Sequence, residues 1–172
     1  MERRISMSRT TAQSGALLFL DLDGFKEVND RFGHQTGDEV LRAVVHRIRT
    51  RLRETDLLGR LGGDEFGILL YPADGTRARA VAERVVQAVR EWAEAELDAS
   101  ARITGSCGIA LFPDHALTAE GLLTAADAAM YAVKARGGNG VAVYAREDPD
   151  LTGPLREGPE PQIPHPEGHS PR

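Results

Sequence analysis

Two pairs of acids stand where they can do chemistry. Asp21 and Asp23 end the apolar run Ala16-Leu17-Leu18-Phe19-Leu20, and Asp64 and Glu65 sit in a turn opened by Gly62-Gly63. The end of a buried strand is a costly place for an unpaired acid, and a two-glycine turn lets backbone approach a ligand closely. If the second segment lies beside the first, Asp21 and Asp64 converge. Two carboxylates with only oxygen donors suit a hard cation such as Mg²⁺, which keeps water and phosphate in its other positions. The plainer alternative is that these acids cap turns and face solvent, because Asp and Gly are the usual turn residues.

The residues after Asp23 weigh against the plainer alternative. Gly24-Phe25-Lys26, Asn29-Asp30, Gly33-His34 and Gly37-Asp38 follow in close order. A chain leaving a strand into a helix start offers free N–H groups to phosphate, and Lys26 adds a positive charge there. Asn29 and Asp38 match the donors and acceptors of a guanine edge, though each is equally able to cap a helix.

The elements that must position these groups are legible from periodicity. Ala16–Leu20 reads as a strand buried on both faces, and Val40, Leu41, Val44, Val45, Ile48 and Leu52 form a helical stripe. Leu57–Leu61 and Phe66–Tyr71 read as two strands around the glycine turn. Ala78–Ala95 is a second amphipathic helix, Ile103–Phe112 a strand, Ala119–Arg136 a third helix and Val141–Tyr144 a last short strand. Strands alternating with helices, plus a hairpin, predict an α/β or α+β sandwich with helices packed on a sheet.

With 172 residues the chain suits one domain. Its formal net charge of −5 argues against non-specific nucleic-acid binding. Cys107, the single cysteine, excludes an internal disulfide and a cysteine-based zinc cluster. No apolar run near the start is long enough for a membrane span or a signal core, which predicts a cytoplasmic protein. Seven of the nine prolines lie beyond Tyr144. The expected division is a lead-in over 1–14, a folded domain over 15–144 and a disordered proline-rich tail over 145–172.

Four motifs together resemble the GGDEF family: Asp21-Leu22-Asp23-Gly24-Phe25-Lys26-Glu27-Val28-Asn29-Asp30, Gly33-His34-Gln35-Thr36-Gly37-Asp38, Gly62-Gly63-Asp64-Glu65-Phe66, and Ala126-Asp127-Ala128-Ala129-Met130-Tyr131-Ala132-Val133-Lys134. The resemblance implies a mostly antiparallel sheet of about five strands wrapped by helices, like the palm of polymerases and adenylyl cyclases. It implies a diguanylate cyclase that joins two GTP molecules into cyclic di-GMP with release of pyrophosphate. Asp21, the Leu22 carbonyl and Asp64 would hold two Mg²⁺ or Mn²⁺ ions, with Glu65 assisting catalysis. Phe25, through its N–H, Lys26 and Lys134 would contact phosphate. Asn29 and Asp38 would recognise guanine, and Gly62 and Gly63 would leave room for the nucleotide. A homodimer is implied because each domain presents one GTP.

Arg53-Glu54-Thr55-Asp56 has the placement of the family's Arg-x-x-Asp inhibitory site, where a product dimer binds, and Arg84 is a secondary contact. Arg53 can fork onto guanine or phosphate and Asp56 can accept from guanine N–H groups. Two departures stand against full likeness. Gly138 falls where members usually carry a phosphate-binding arginine, with Arg136 two residues away. The lead-in also lacks the family's usual opening segment, and Glu2-Arg3-Arg4 reads as the tail of a helix. Both departures favour an alternative, a catalytically weak receptor for cyclic di-GMP.

Overall fold

The computed structural model describes residues 14–98 and 101–145. The expected lead-in up to residue 13 and the tail from residue 146 lie outside the described residues. Among the described residues five strands and four helices follow one another: β1 (Gly15–Asp23), α1 (Phe25–Phe32), α2 (His34–Arg49), β2 (Leu57–Gly62), β3 (Glu65–Leu70), α3 (Gly75–Glu96), β4 (Thr104–Phe112), α4 (Ala119–Ala135) and β5 (Gly140–Val143). The sheet order is β2-β3-β1-β4-β5. β1–β3, β1–β4 and β2–β3 pair antiparallel, and only β4–β5 is parallel. The predicted mixed architecture with a mostly antiparallel five-stranded sheet is what the chain forms.

β1 is the central strand and its alternation sorts the core. Leu18, Leu20 and Leu22 lie in the larger cluster, with Val44 and Ile48 of α2 and Val85 and Val89 of α3. Leu17 and Phe19 lie in the other cluster, with Leu122, Ala126 and Met130 of α4. Successive side chains of a strand point to opposite faces, so Asp21, in phase with Leu17 and Phe19, emerges on the α4 side.

Several boundaries differ from the sequence reading for local reasons. β1 continues through Asp23, because the β4 ladder runs on to the Asp23–Thr104 pair. The helical stripe over Val40–Leu52 begins earlier, and Gly33 at φ +84° separates α1 from α2. α3 begins at Gly75, where the Asp74 side chain accepts the Arg77 N–H at 2.8 Å. Among the described residues no helix is long and apolar enough to cross a membrane.

Candidate active site

The two acidic segments converge as the motif spacing anticipates. β3 lies directly beside β1, Asp21 stands opposite Glu65, and the Leu22 N–H donates to the Asp64 carbonyl at 3.3 Å. The β2–β3 turn therefore delivers Asp64 and Glu65 to the end of the strand that carries Asp21. A β-bulge between Arg60 and Gly62 shapes the approach to this turn, and the Arg60 Nε donates across it to the Gly63 carbonyl at 2.7 Å. A side chain at Gly63 would meet nothing within 4 Å, so the turn faces open space.

Lys134, in the last turn of α4, makes an ion pair with Asp21 Oδ1. Asp21 is only 8% exposed. Its carboxyl is held above its ordinary value, chiefly by loss of water and further by the charges of Asp64 and Asp23, against the pull of Lys134. Glu65 is shifted upward for the same first reason, with Asp21, Asp64 and Asp127 adding to it. The site thus concentrates negative charge that one lysine only partly offsets.

That electrostatic state fits a divalent cation. The Asp21 and Asp64 carboxylates and the Leu22 backbone carbonyl are the residues that could hold one, and all offer oxygen, the preference of Mg²⁺ and Mn²⁺. Among the described residues no three His, Cys, Asp or Glu side chains gather closely enough to hold a metal alone. Such a sparse set matches an ion that completes its shell with water and substrate phosphate.

Asp23, paired with Asp21 in the sequence reading, serves the fold. Its carboxylate accepts from Thr104 Oγ1 at 2.8 Å, Ser106 Oγ at 2.8 Å and the Asn139 N–H at 3.0 Å. It ties β1 to β4 and to the α4–β5 turn. Gly138 lies over this carboxylate at φ +75°, and a Cβ there would stand 2.9 Å from Asp23 Oδ2. The departure noted at Gly138 is therefore built into the turn.

The remaining predicted positions frame the β1–α1 junction. Phe25 is buried, Lys26 exposed, Asn29 half-buried and Asp38 exposed on the neighbouring helix. Gly37 lets α2 press on α1, since a Cβ there would fall 1.9 Å from Asn29 Oδ1. The second predicted constellation is less open than its residue types imply. Asp56 is 2% exposed and accepts from Arg77 Nη2 at 2.9 Å and 3.1 Å and from the Arg53 N–H at 3.0 Å. Arg53 and Arg84 have exposed side chains.

Besides Lys134, four residues enter that the sequence reading did not assign a role. Asp127, Tyr131 and Lys134 share one α4 stripe by their spacing of four and three, a signal that was available. Arg60 adjoins the glycine turn directly. Arg77 had no sequence signal, because its contact with Asp56 exists only once α3 packs beside the start of β2.

A family model described as "Diguanylate cyclase, GGDEF domain" matches residues 1–140, and the chain belongs to the GGDEF family. It is 45% identical over 130 residues to the diguanylate cyclase TpbB of Pseudomonas aeruginosa, covering 74% of this chain and 30% of that protein. The chain thus spans under a third of that relative's length. Its fold matches a TpbB variant from Pseudomonas aeruginosa comprising only the GGDEF domain, with a TM-score of 0.76, 38% identity and 87% of each chain covered. The GGDEF domain of DgcB from Caulobacter crescentus, solved in complex with c-di-GMP, matches with a TM-score of 0.74 and 29% identity, covering 83% of this chain and 84% of that one.

Proposed function

We propose that the chain is a cytoplasmic diguanylate cyclase domain that condenses two GTP molecules into cyclic di-GMP. The observation that carries this reading is the convergence of Asp21 and Asp64 at the end of β1, beside an open glycine turn and under Lys134. Membership of the family and 45% identity to a named diguanylate cyclase support it.

Asp21, the Leu22 carbonyl and Asp64 would hold the divalent ions, two per site as the family resemblance implies. Bound there, such ions would supply neutralisation of triphosphate charge and favour ionisation of a ribose 3′-hydroxyl. Lys134 moves from Asp21 to phosphate when nucleotide arrives, joined by Lys26 and the Phe25 N–H at the helix start. Asn29 and Asp38 read the guanine edge, and the space over Gly62 and Gly63 accommodates the nucleotide. The raised carboxyl of Glu65 makes it a better proton acceptor for the attacking hydroxyl than an ordinary glutamate. The 3′-oxygen bonds to the α-phosphorus of the other GTP, the bond to the β-phosphate side breaks, and pyrophosphate leaves. The step occurs twice, once in each direction, which requires two domains facing each other as a homodimer. Arg53, Asp56 and Arg84 form the product-binding site that limits synthesis.

Purified protein incubated with GTP and Mg²⁺ is expected to yield cyclic di-GMP and pyrophosphate. Asp64→Asn should lower turnover by on the order of 1000-fold or more while keeping the fold. Full activity in that variant would refute the cation-binding role. One observation favours a second reading, a weakly active cyclic di-GMP receptor: the turn at Gly138 is filled by Asp23 and offers no side chain to phosphate. Tight binding of cyclic di-GMP with no product from GTP would establish it.

A further inference from the structure

Both oxygens of Asp56 are already engaged within its own chain. The 53–56 turn is closed twice, by the Asp56 N–H on the Arg53 carbonyl at 3.0 Å and by the Arg53 N–H on Asp56 Oδ2 at 3.0 Å. From the first turn of α3, Arg77 Nη2 reaches Oδ1 at 2.9 Å and Oδ2 at 3.1 Å, and its Nη1 donates to the Pro72 carbonyl. The Arg77 backbone is held in turn by the Asp74 cap at 2.8 Å. The Asp56 side chain is 1% exposed and that of Arg77 18%. A carboxylate offers about four lone-pair sites, and three are taken here. Of the two, Arg77 is the one with side-chain surface open to solvent, and Asp56 has almost none.

We propose that Arg77 is a latch on the product-binding site, an internal competitor that a guanine-bearing ligand must displace before it can use Asp56. The inference rests on the reading of Arg53 and Asp56 as that site. Both competitors are nitrogen donors to the same two oxygens: Arg77 Nη2 from within and the guanine N–H groups from outside. Breaking a charge-assisted, largely buried contact is costly, so the latch raises the ligand concentration at which the site fills. Arg84 lies seven residues further along α3, about two turns from Arg77 and on the same helix face. It is exposed, and a released Arg77 would join it in lining the site.

The test measures cyclic di-GMP binding by calorimetry on the full chain, for the natural protein and for Arg77→Gln, Arg77→Lys and Arg53→Ala. With the latch removed, Arg77→Gln should bind about tenfold more tightly, the scale of one charge-assisted hydrogen bond. Arg77→Lys keeps the charge but loses the second nitrogen that the Pro72 carbonyl holds in place. It should fall between the two and keeps the test open if the glutamine variant does not fold. Arg53→Ala should lose binding. If Arg53→Ala binds as well as the natural protein, the site reading fails. If Arg53→Ala loses binding while the folded Arg77 variants bind no more tightly than the natural protein, the latch is refuted and the site reading survives.

Discussion

The Lys134 ammonium lies against Asp21 Oδ1, joining the last turn of α4 to the end of the central strand. These two residues stand 113 positions apart in the sequence, and the contact places a cation on the site's most buried acid. In the absence of nucleotide and metal, Lys134 is the counter-ion that keeps Asp21 tolerable inside the fold.

Removing that counter-ion should therefore be felt before any catalysis is measured. Lys134→Ala is expected to destabilise the nucleotide-free protein by about 1–2 kcal/mol, less than a fully buried pair because the lysine is partly exposed. Millimolar Mg²⁺ should recover most of the loss, since the vacated carboxylate gains another cation. Thermal melts with and without Mg²⁺ check this. A variant as stable as the natural protein would mean that the ion pair contributes nothing.

Asp21 itself gives a pH prediction whose sign follows from its shift. Loss of water, the leading cause, holds its folded-state carboxyl above the ordinary 3.8 despite Lys134. The folded state therefore binds that proton more tightly than the unfolded chain does. Ionised Asp21 costs stability above the folded-state pKa, and the cost fades as pH falls towards 3.8. Asp21→Asn removes the cost, so without metal it should melt higher than the natural protein at pH 7, with the gap closing under acid. Added Mg²⁺ should stabilise the natural protein and leave the variant unchanged. A variant that melts lower at pH 7 would contradict the assignment.

How far these relationships could be foreseen depended on their range. Periodicity located the strands and helices, because Ala16 to Leu20 are apolar on both faces and α2 and α3 carry clear stripes. Motif spacing anticipated the meeting of Asp21 and Asp64, since a hairpin beside the first strand brings them together. The role of Asp23 was hidden: its partners Thr104, Ser106 and Asn139 lie on a distant strand and turn, and a strand-end acid looks the same whether it binds a ligand or a loop. Asp56 was hidden likewise, because the arginine that covers it comes from α3.

The turn at Gly138 yields a prediction opposite to simple restoration of an arginine. Its backbone is left-handed at φ +75°, and a Cβ would press on the Asp23 carboxylate at 2.9–3.1 Å. Gly138→Ala should cost at least about 1–2 kcal/mol from the backbone conformation alone. Gly138→Arg should cost a similar amount or more, even if its charge later helps to bind GTP. Chemical denaturation of both variants checks this. An arginine variant as stable as the natural protein would show that the turn rearranges freely around Asp23.

Cys107 offers a probe of the whole fold. It sits in the middle of β4, fully buried, and burial pushes its thiol up to about 12. At pH 8 the thiolate is then about one part in ten thousand, and the reagent must also reach it, so two barriers oppose reaction. A thiol reagent such as dithionitrobenzoate should leave the native protein unmodified over hours and react promptly once urea unfolds the domain. Because Cys107 lies in the larger core cluster with Val85 and Val89 of α3, its exposure requires α3 to separate from the sheet. The midpoint of reactivity should coincide with the midpoint seen by circular dichroism. Reaction at urea concentrations well below that midpoint would reveal a local opening between β4 and α3, on the face of the sheet opposite Asp21 and Lys134.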